Sequence, residues 1–363
     1  MKGVFAMFFI LWLFLTISTC MLGMKSKTLL SDIAFSEWVK SYEITEISHN
    51  GGRVFALDLN EKTKSLLVGT ESGLLQMDCL NNEIKSSKNV VSTVKELISS
   101  DEGAYYVDQR GRVFDWNQKN DDVKLVYQGP VNKLAYGSYD KSLWCVQTNG
   151  IIKIDSTTGY EQDSYPVANT SAICCGPNNG VYVGMREGVL LLDCKANLLK
   201  KLPLRISGEN TVNSINRSMP TGTLYLDTGE DIIRRCDARL TLPRNIYYGG
   251  YFGKTLALEH DYVSQLLCAA VSDANSNDAA KMIHVFHPKD ASFAHELPFN
   301  CEYPKCACSP LTSTFYIAGK NKIAVLKPKR SYSELTLMNS NAYLIYKEFL
   351  CINGTQAVKG DQA

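Results

Sequence analysis

The densest group of side chains that could perform chemistry is a set of thiols near the C-terminal end. Cys301, Cys306 and Cys308 lie within eight residues, and His295 precedes them. Thiolate and imidazole both bind zinc, but structural zinc sites combine a Cys-x2–4-Cys turn with a second pair of ligands, and no second pair is placed here. On an extended segment Cys306 and Cys308 point to the same face. We therefore expect core thiols or one disulfide and no metal site, with zinc binding or redox chemistry as the alternative.

No other local pattern supports catalysis. His284 and His287 flank two apolar residues, so on a strand they face opposite sides and cannot hold one metal ion together. The chain has neither a Gly-x-Ser-x-Gly elbow nor a Gly-x4-Gly-Lys-Ser/Thr phosphate loop. Because an active site requires a convergent set of polar groups, we predict a protein that is not an enzyme and that binds no cofactor.

One pattern occurs four times between residues 66 and 193. Each copy holds an apolar strand, a polar turn with a glycine, and a second apolar strand that ends near an aspartate, as in Val181–Asp193. The turn glycines Gly73, Gly111, Gly150 and Gly188 recur at intervals of 38, 39 and 38 residues. A period of about 40 with paired strands is typical of β-propeller blades. We expect each glycine to adopt a positive φ angle.

Three further units continue the pattern at wider spacing. They are Leu224–Ile233, Leu266–Phe286 and Phe315–Leu326. Apolar runs precede the strand pairs, as in Val54–Leu57 and Val131–Ala135, and we interpret them as the innermost strands that line a central channel. The sequence therefore contains seven candidate blades.

We predict an all-β fold, a seven-bladed β-propeller over residues 42–328. An open ring would leave two unpaired strand edges, so the strand Tyr42–Ile47 is expected to pair with the last blade and close the ring. The segment Ala342–Tyr346 could compete for that place. We expect residues 24–41 to be a lead-in and residues 329–363 to be an extension, partly strand, with a disordered tail.

The N-terminal segment has the pattern of a secretory signal peptide. Gly3–Gly23 contains no charged residue, Phe8–Leu15 forms an apolar centre, and Ser18–Cys20 offers small residues for cleavage. The uncharged stretch is also long enough to span a bilayer as an uncleaved signal anchor. The alternative is that translation starts at Met24.

The cysteines argue weakly against secretion, and the glycosylation sequons do not decide the compartment. Eleven of the 12 cysteines follow Cys20, and Cys145 and Cys268 lie inside apolar strands, which favours reduced core thiols. Sequons would be glycosylated only in the secretory pathway, and they start at Asn169, Asn216 and Asn353. We predict the secretory pathway if the N-terminal segment is genuine, and otherwise the nucleus or cytoplasm.

The remaining candidate site is the ring of turns between the second and third strands of the blades. With 38 basic and 37 acidic residues, the net charge of +1 creates no field that would recruit nucleic acid or an anionic membrane. The predicted inner strands offer Asp58 and no recurring acid for a channel metal. The polar turns suit a protein or peptide ligand on this face, and membrane contact is expected only through an uncleaved N-terminal segment. The predicted binding residues are Glu71, Gln109, Arg110, Thr148, Asn149, Arg186, Glu187, Asp227 and Lys320.

The repeats resemble degenerate WD repeats. Asp78, Asp115, Asp155 and Asp193 occupy the place where that family has its Trp-Asp dipeptide, and Trp116 follows Asp115. No unit has the full dipeptide or a Gly-His opening.

Across residues 42–326 the order and length of the segments resemble one branch of that family, the small WD-repeat subunit of the mitotic spindle checkpoint and its messenger-RNA-export relative. The resemblance implies a kinetochore or nuclear-pore adaptor that grips a short peptide. That branch has aromatic residues in the second-to-third-strand turns of blades one and three, where this chain has Glu71 and Thr148–Asn149. The peptide clamp therefore does not carry over residue by residue.

Three hypotheses follow. The first is a non-catalytic scaffold that binds a peptide or protein on the propeller rim, as a divergent checkpoint, kinetochore or export adaptor. The second is a secreted or ER-luminal propeller that binds an extracellular protein or glycan. The third, a minor alternative, is a propeller enzyme with a metal in its channel.

Overall fold

The computed structural model describes residues 42–328 except 91, 207–210, 219–220, 231, 242, 248–253, 263, 273–278, 289–292 and 311. The predictions for residues 1–41, for Ala342–Tyr346 and for the rest of the C-terminal extension lie outside the described residues. Within the described part, the only helical segment is a 3-10 turn at Pro177–Asn179. No helix there has the length and apolar character needed to cross a membrane.

The chain forms consecutive groups of antiparallel strands, which we call units. The strands of the first four units are β1 (Tyr42–Asn60), β2 (Ser65–Thr70), β3 (Gly73–Asp78), β4 (Ile84–Asn89); β5 (Val94–Ser99), β6 (Gly103–Asp108), β7 (Val113–Asn117), β8 (Asp122–Tyr127); β9 (Lys133–Gly137), β10 (Ser142–Gln147), β11 (Gly150–Asp155), β12 (Glu161–Pro166); and β13 (Thr170–Cys175), β14 (Val181–Met185), β15 (Gly188–Leu192), β16 (Leu198–Pro203).

The last three units continue the same order. Their strands are β17 (Ser214–Arg217), β18 (Leu224–Asp227), β19 (Ile232–Cys236), β20 (Arg244–Tyr247); β21 (Thr255–Asp261), β22 (Leu266–Ser272), β23 (Ala279–Phe286), β24 (Phe293–Glu302); and β25 (Lys305–Ser309), β26 (Thr314–Ala318), β27 (Lys320–Pro328). The predicted fifth, sixth and seventh strand pairs coincide with β18–β19, β22–β23 and β26–β27.

The sheets are arranged as a β-propeller, which confirms the predicted all-β class. Units two to six are separate four-stranded sheets. The remaining strands form one seven-stranded sheet in the order β25-β26-β27-β1-β2-β3-β4. The structure shows five separate blades, and β1 joins the remaining strands into one sheet, so the count of seven blades stays a prediction.

Strand β1 pairs with strands from both ends of the described chain. Its first half, from Tyr42 to Ser48, pairs with β27, and its second half, from Val54 to Asn60, pairs with β2. The register shifts between Ser48 and Arg53, and Gly52 there has a φ of 79°, which a side chain would strain. The predicted pairing of the Tyr42–Ile47 strand with the last unit is confirmed.

The antiparallel order divides the turns between two faces. Turns from the second to the third strand, and the loops between units, lie on one face, which we call the top face. Turns from the first to the second strand and from the third to the fourth lie on the opposite, bottom face. Hydrogen bonds join neighbouring top elements, for example from Val131 N to Gly111 O at 3.0 Å and from Leu204 N to Glu187 O at 3.0 Å.

The repeated aspartate is a turn residue of the bottom face. The Asp155 carboxylate accepts hydrogen bonds from the backbone of Thr157 and from the backbone and hydroxyl of Thr158. Asp193 similarly accepts from the backbone of Lys195 at 2.8 Å. These are Asx turns, and the bonds from Thr158 hold the pKa of Asp155 below its usual value.

The second unit departs from this pattern. Asp115 lies inside β7 and is half-buried, and burial raises the pKa of its carboxyl. Asn117, two residues later, accepts from the backbone of Lys119 at 2.9 Å and takes the turn role instead. Equating Asp115 with the other repeat aspartates was therefore wrong.

The repeat glycines are required for two reasons. Gly73, Gly111 and Gly188 have φ angles of 152°, 82° and 137°, as predicted. Gly150 does not have a positive φ, so that prediction was wrong for it. A Cβ on Gly150 would lie 2.8 Å from the carbonyl oxygen of Tyr165 on the outer strand, so close backbone approach explains this glycine.

The hydrophobic core lies between neighbouring units. Trp144 and Val146 of the third unit, for instance, belong to one buried cluster with Val183 and Leu190 of the fourth. Each sheet therefore buries both faces, which accounts for second strands that are apolar at nearly every position.

We predict that Asp155→Ala lowers the free energy of unfolding by about 1 kcal/mol, because several turn donors lose their acceptor. Asp155→Asn keeps an acceptor oxygen and is the matched control, with a smaller expected loss. Urea denaturation of both variants measures the difference. Equal losses would contradict the role of the carboxylate as the acceptor of the turn.

The effect of Asp155→Asn should also depend on pH. Because the folded-state pKa of Asp155 lies below the ordinary 3.8, its charge contributes stability above the unfolded-state pKa, and this contribution is lost as the pH falls through the folded-state pKa. The stability difference between wild type and Asp155→Asn should therefore shrink in acid. A difference that stays constant throughout the acid range would exclude this linkage.

Candidate protein-binding face

Eight of the nine predicted binding residues are exposed on the top face. They lie in the second-to-third-strand turns of the first four units or at the start of β27. They are Glu71, Gln109, Arg110, Thr148, Asn149, Arg186, Glu187 and Lys320. The turns place these residues around the rim, one turn in each of five units, rather than in one compact site.

Some of these side chains already have structural partners. The Glu71 carboxylate accepts from the backbone N–H of Arg53 at 3.1 Å, and Glu71 N donates to Arg53 O at 3.0 Å. Glu187 forms an exposed ion pair with Lys201 at 3.2 Å. Glu71 therefore fixes the bend of β1 at the closure point, while Glu187 is held by a weak surface contact.

Asp227 is a correction to the predicted site. Its side chain is only 1% exposed, and its carboxylate accepts from Gly229 N at 2.8 Å. Burial raises the pKa of Asp227 to about 7. Asp108, at the same position of the second unit, is also buried and bonds the guanidinium of Arg112 at 2.8 Å. Both aspartates support a top turn from inside and are not available to a partner.

The structure adds an aromatic and cationic cluster at the channel mouth that sequence reasoning missed. Arg53 lies at the bend of β1, and its guanidinium carbon is 3.6 Å from the ring centre of Tyr303 and 4.8 Å from that of Phe55. Phe55 is the extra residue of a β-bulge between Val54 and Ala56, a device that redirects a side chain. The buried Nε of Arg53 has no hydrogen-bond acceptor among the described residues.

Two lysines extend this cluster along the inner strands. Lys133 and Lys305 are the first residues of β9 and β25, at the top ends of those strands. Lys133 pairs with Glu96 at 2.7 Å. Burial, together with the nearby charge of Lys133, lowers the pKa of Lys305. The mouth therefore holds three basic residues, with Glu96 paired to Lys133 and the Glu71 carboxylate bonded to the backbone of Arg53. No local motif marks them, because they come from strands far apart in the chain.

A cleft of about 280 Å³ opens between the first and second units beside the turn of Gln109 and Arg110. Tyr106 and Phe114 stack in its wall with ring centres 5.1 Å apart, and Arg112 covers Phe114. Aromatic walls and a guanidinium are common in pockets that accept a side chain of a partner.

The inner strands are more acidic than the sequence suggested. Besides Asp58, they carry Glu96, Glu259 and Asp261. The Asp58 carboxylate accepts from Ser99 N at 2.5 Å. Burial, with the charges of Asp58 and Asp261, raises the pKa of Glu259 to about 8. Among the described residues, no group of three or more His, Cys, Asp or Glu side chains is arranged to hold a metal ion.

The thiol cluster near the C-terminal end lies in the core. Cys301 and Cys308 are buried in one hydrophobic cluster with Cys268, and Cys306 packs against it. All ten described cysteines are free. A hydrogen bond with Cys268 and burial raise the pKa of Cys306, and burial raises that of Cys301 to about 12. The cluster is therefore made of protonated core thiols, and the side chain of His295 lies outside the described residues.

The fold and the face define a β-propeller with an exposed ring of turns, an architecture that generally serves as a protein-interaction scaffold. No protein-family model matches the chain, and no curated protein shows significant similarity to it.

We predict that burial makes Asp227 destabilising at neutral pH. A carboxyl with a folded-state pKa of about 7 and an ordinary value of 3.8 binds its proton more tightly in the folded state, so stability falls as the pH rises between these values. Asp227→Asn removes this dependence while keeping an acceptor for Gly229. Its stability relative to wild type, measured by urea denaturation, should rise over that window by a few kcal/mol at most.

Asp108→Asn is the matched control for Asp227→Asn. It occupies the same strand position, but it breaks the ion pair with Arg112 and should therefore lower stability at neutral pH. A relative stability of Asp227→Asn that does not change with pH would show that this carboxyl is solvated.

Proposed function

We propose that the protein is a non-catalytic scaffold that binds an acidic peptide segment of a partner protein across the channel mouth on the top face. The observation that carries this proposal is the cluster of Arg53, Tyr303 and Phe55. Arginine and tyrosine are enriched at the few interface positions that supply most of the binding energy. Tyr303 is 39% exposed and covers the Arg53 guanidinium, so a ligand could contact both side chains at once.

The charge of the mouth favours an anionic ligand. Arg53, Lys133 and Lys305 lie near one another, and Glu96 forms an ion pair with only one of them, Lys133. An Asp or Glu side chain of a peptide would bring a compensating charge to the partly exposed guanidinium of Arg53. Hydrogen bonds between charged partners in a partly desolvated site are roughly twice as strong as neutral ones.

We infer that the propeller has seven blades, two of which share β1. The first strands of the units contact one another in the order β1–β5–β9–β13–β17–β21–β25, and β25 contacts β1 again. The first half of β1 would then be the outer strand of the seventh blade and its second half the inner strand of the first. This arrangement would hold Arg53 and Tyr303, on opposite sides of the closure, in one rigid site.

The adaptor role in the spindle checkpoint or messenger-RNA export stays a prediction from architecture. The chain has no aromatic residue at the two turn positions that this branch uses, and Tyr303 and Phe55 lie elsewhere on the same face. From this branch we therefore carry over only the general role of a propeller that binds a peptide. We propose that the exposed rim residues form the periphery of the interface. With a net charge of +1, we propose no direct contact with nucleic acid.

We predict that Arg53→Ala and Tyr303→Ala each weaken binding of an acidic peptide at least tenfold, the usual cost of losing a central interface residue. The probe is an acidic peptide selected from a random displayed library on the immobilised full chain, and its affinity is measured by fluorescence anisotropy. Lys62→Ala, on the bottom face, is the control and should leave the affinity unchanged. Selected peptides without acidic residues, or an affinity insensitive to Arg53→Ala, would refute the proposed site.

A second candidate, a secreted or luminal propeller, is favoured by one observation. Asn169 of the first sequon is exposed in a top-face loop, where a glycan could be accommodated. The Asn216 amide, in contrast, donates to Leu258 O at 2.8 Å between two inner strands, and a glycan there would break this bond.

We predict that, if the chain enters the secretory pathway, Asn169 carries a glycan and Asn216 does not. Translation with ER microsomes should give a glycosidase-sensitive mass shift that Asn169→Gln reduces by one glycan and Asn216→Gln leaves in place, with Asn353→Gln made in both backgrounds so that the third sequon does not contribute. If instead no glycosidase-sensitive form is found, the second candidate is contradicted.

A further inference from the structure

The exposed large apolar side chains of the described residues are concentrated on one face. Eight of the nine lie on the bottom face of the first four units, two in each unit, and the ninth is Tyr303. The four pairs are Leu80 and Ile84, Val123 and Leu125, Tyr139 and Tyr160, and Leu198 and Leu199.

Seven of the eight lie where a third strand turns into a fourth, and Tyr139 lies in a first-to-second-strand turn. Each residue lies in a bottom turn or within the first four residues of an outer strand. Tyr139 and Tyr160 protrude furthest, with 89% and 77% of their surface exposed. Strand side chains of one unit bond the bottom turn of the next, from Lys124 Nζ to Thr157 O and from Lys153 Nζ to Cys194 O. The four pairs therefore form one arc along the bottom edge of the disc.

Charged side chains on this face compensate one another. Lys62 pairs with Asp101 at 2.7 Å, Lys85 with Asp78 at 2.7 Å and Lys119 with Glu102 at 3.1 Å. The arc thus presents no strong field of either sign. The protruding apolar tips distinguish it from the top face.

Both ends of the described chain leave the disc beside this arc. Tyr42 pairs with Pro328 at the bottom ends of β1 and β27, and Lys327 Nζ lies 3.5 Å from Leu80 O. Upstream of Tyr42, the stretch Gly3–Gly23 contains no charged residue. As a helix it would be about 30 Å long, the thickness of a bilayer core. The residues between it and Tyr42 could span at most about 60 Å when extended.

We propose that the bottom face of the first four units lies against a lipid bilayer, with Gly3–Gly23 as the anchor. Dispersed apolar side chains on turns and at the beginnings of outer strands suit insertion into the headgroup region, whereas a protein interface usually has one contiguous, closely packed centre. Tyrosine is favoured at membrane surfaces because its ring is apolar and its hydroxyl stays in water. This proposal is independent of the proposed function, and it leaves the top face open to the aqueous phase.

The test uses the full chain reconstituted in phosphatidylcholine vesicles that contain a brominated lipid. Leu199→Trp places an emitting group on the arc, and Tyr303→Trp places one on the top face as the matched control. The four native tryptophans, Trp12, Trp38, Trp116 and Trp144, are common to both variants, so the emission that each substitution adds is measured against wild type in the same vesicles. We expect the bromine to quench the added emission of Leu199→Trp and not that of Tyr303→Trp. Because insertion is apolar, high salt should not reverse the quenching.

Hydrogen exchange of the same vesicles provides a second measurement that needs no new tryptophan. Amides in the bottom turns of the third and fourth units should exchange more slowly than in detergent micelles, and amides in the top turns should not change. The double variant Tyr139→Ser/Tyr160→Ser should lose this protection in the third unit.

The outcomes separate the possible occupants of the arc. Quenching equal in the two tryptophan variants, or failure of the full chain to associate with vesicles, would overturn the proposal. So would a Tyr139→Ser/Tyr160→Ser variant that loses a protein partner from cells but keeps the lipid protection of wild type, since that result assigns the arc to a protein. Variants of Arg53 should leave the quenching unchanged, so this proposal and that of peptide binding fail independently.

Discussion

The structure depends on side chains that reach from one unit to the backbone of the next. The inner strand of a blade has one edge without a partner strand, and its backbone groups must find other acceptors and donors. Asp58 accepts from Ser99 N, and Asn216 donates to Leu258 O, each across a boundary between units. Ser171 Oγ donates to Val212 O at 2.8 Å in the same way. These bonds fix the angle between neighbouring sheets near the axis, where the sheets are closest.

The outer part of each boundary uses a related contact. Carbonyl oxygens of the third-to-fourth-strand turns accept hydrogen bonds from side chains of the preceding unit, as Asp121 O does from Lys88 Nζ at 2.7 Å and Ala238 O from Tyr182 OH at 2.6 Å. Each unit therefore contacts its neighbours in three places. Side-chain hydrogen bonds act at its inner strand and its bottom turn, and apolar clusters pack against the faces of its sheet. A single unit would lose all three contacts, so we expect no unit to fold by itself.

The sequence predicts the local parts of this structure well and the assembled parts poorly. The glycines and aspartates of the repeat act within one turn, and so their spacing revealed the strand pairs, the turns and the closing strand. The role predicted for Asp115 was wrong because Asn117, two residues later, accepts the hydrogen bond of the turn. Only the hydrogen-bond geometry reveals this exchange. Asp227 is buried because its carboxylate turns inward and accepts from Gly229 N in its own top turn, and the residue types of the turn do not reveal this orientation. Arg53 and Tyr303 are 250 residues apart, and only ring closure brings them together. No periodicity in the sequence encodes such a contact.

Ring closure therefore links stability and function in this protein. Arg53 stands at the bend of β1, with Lys320 of the last strand as its register partner and Glu71 of the first unit bonded to its backbone. Tyr303 reaches it from the loop before β25. The proposed peptide site is thus assembled from both ends of the ring, and opening the pairing of β1 with β27 would separate its parts. The same pairing places Tyr42 and Pro328, the two ends of the described chain, at the bottom face. Closing the ring thereby completes the proposed top site and sends both ends of the described chain to the opposite side.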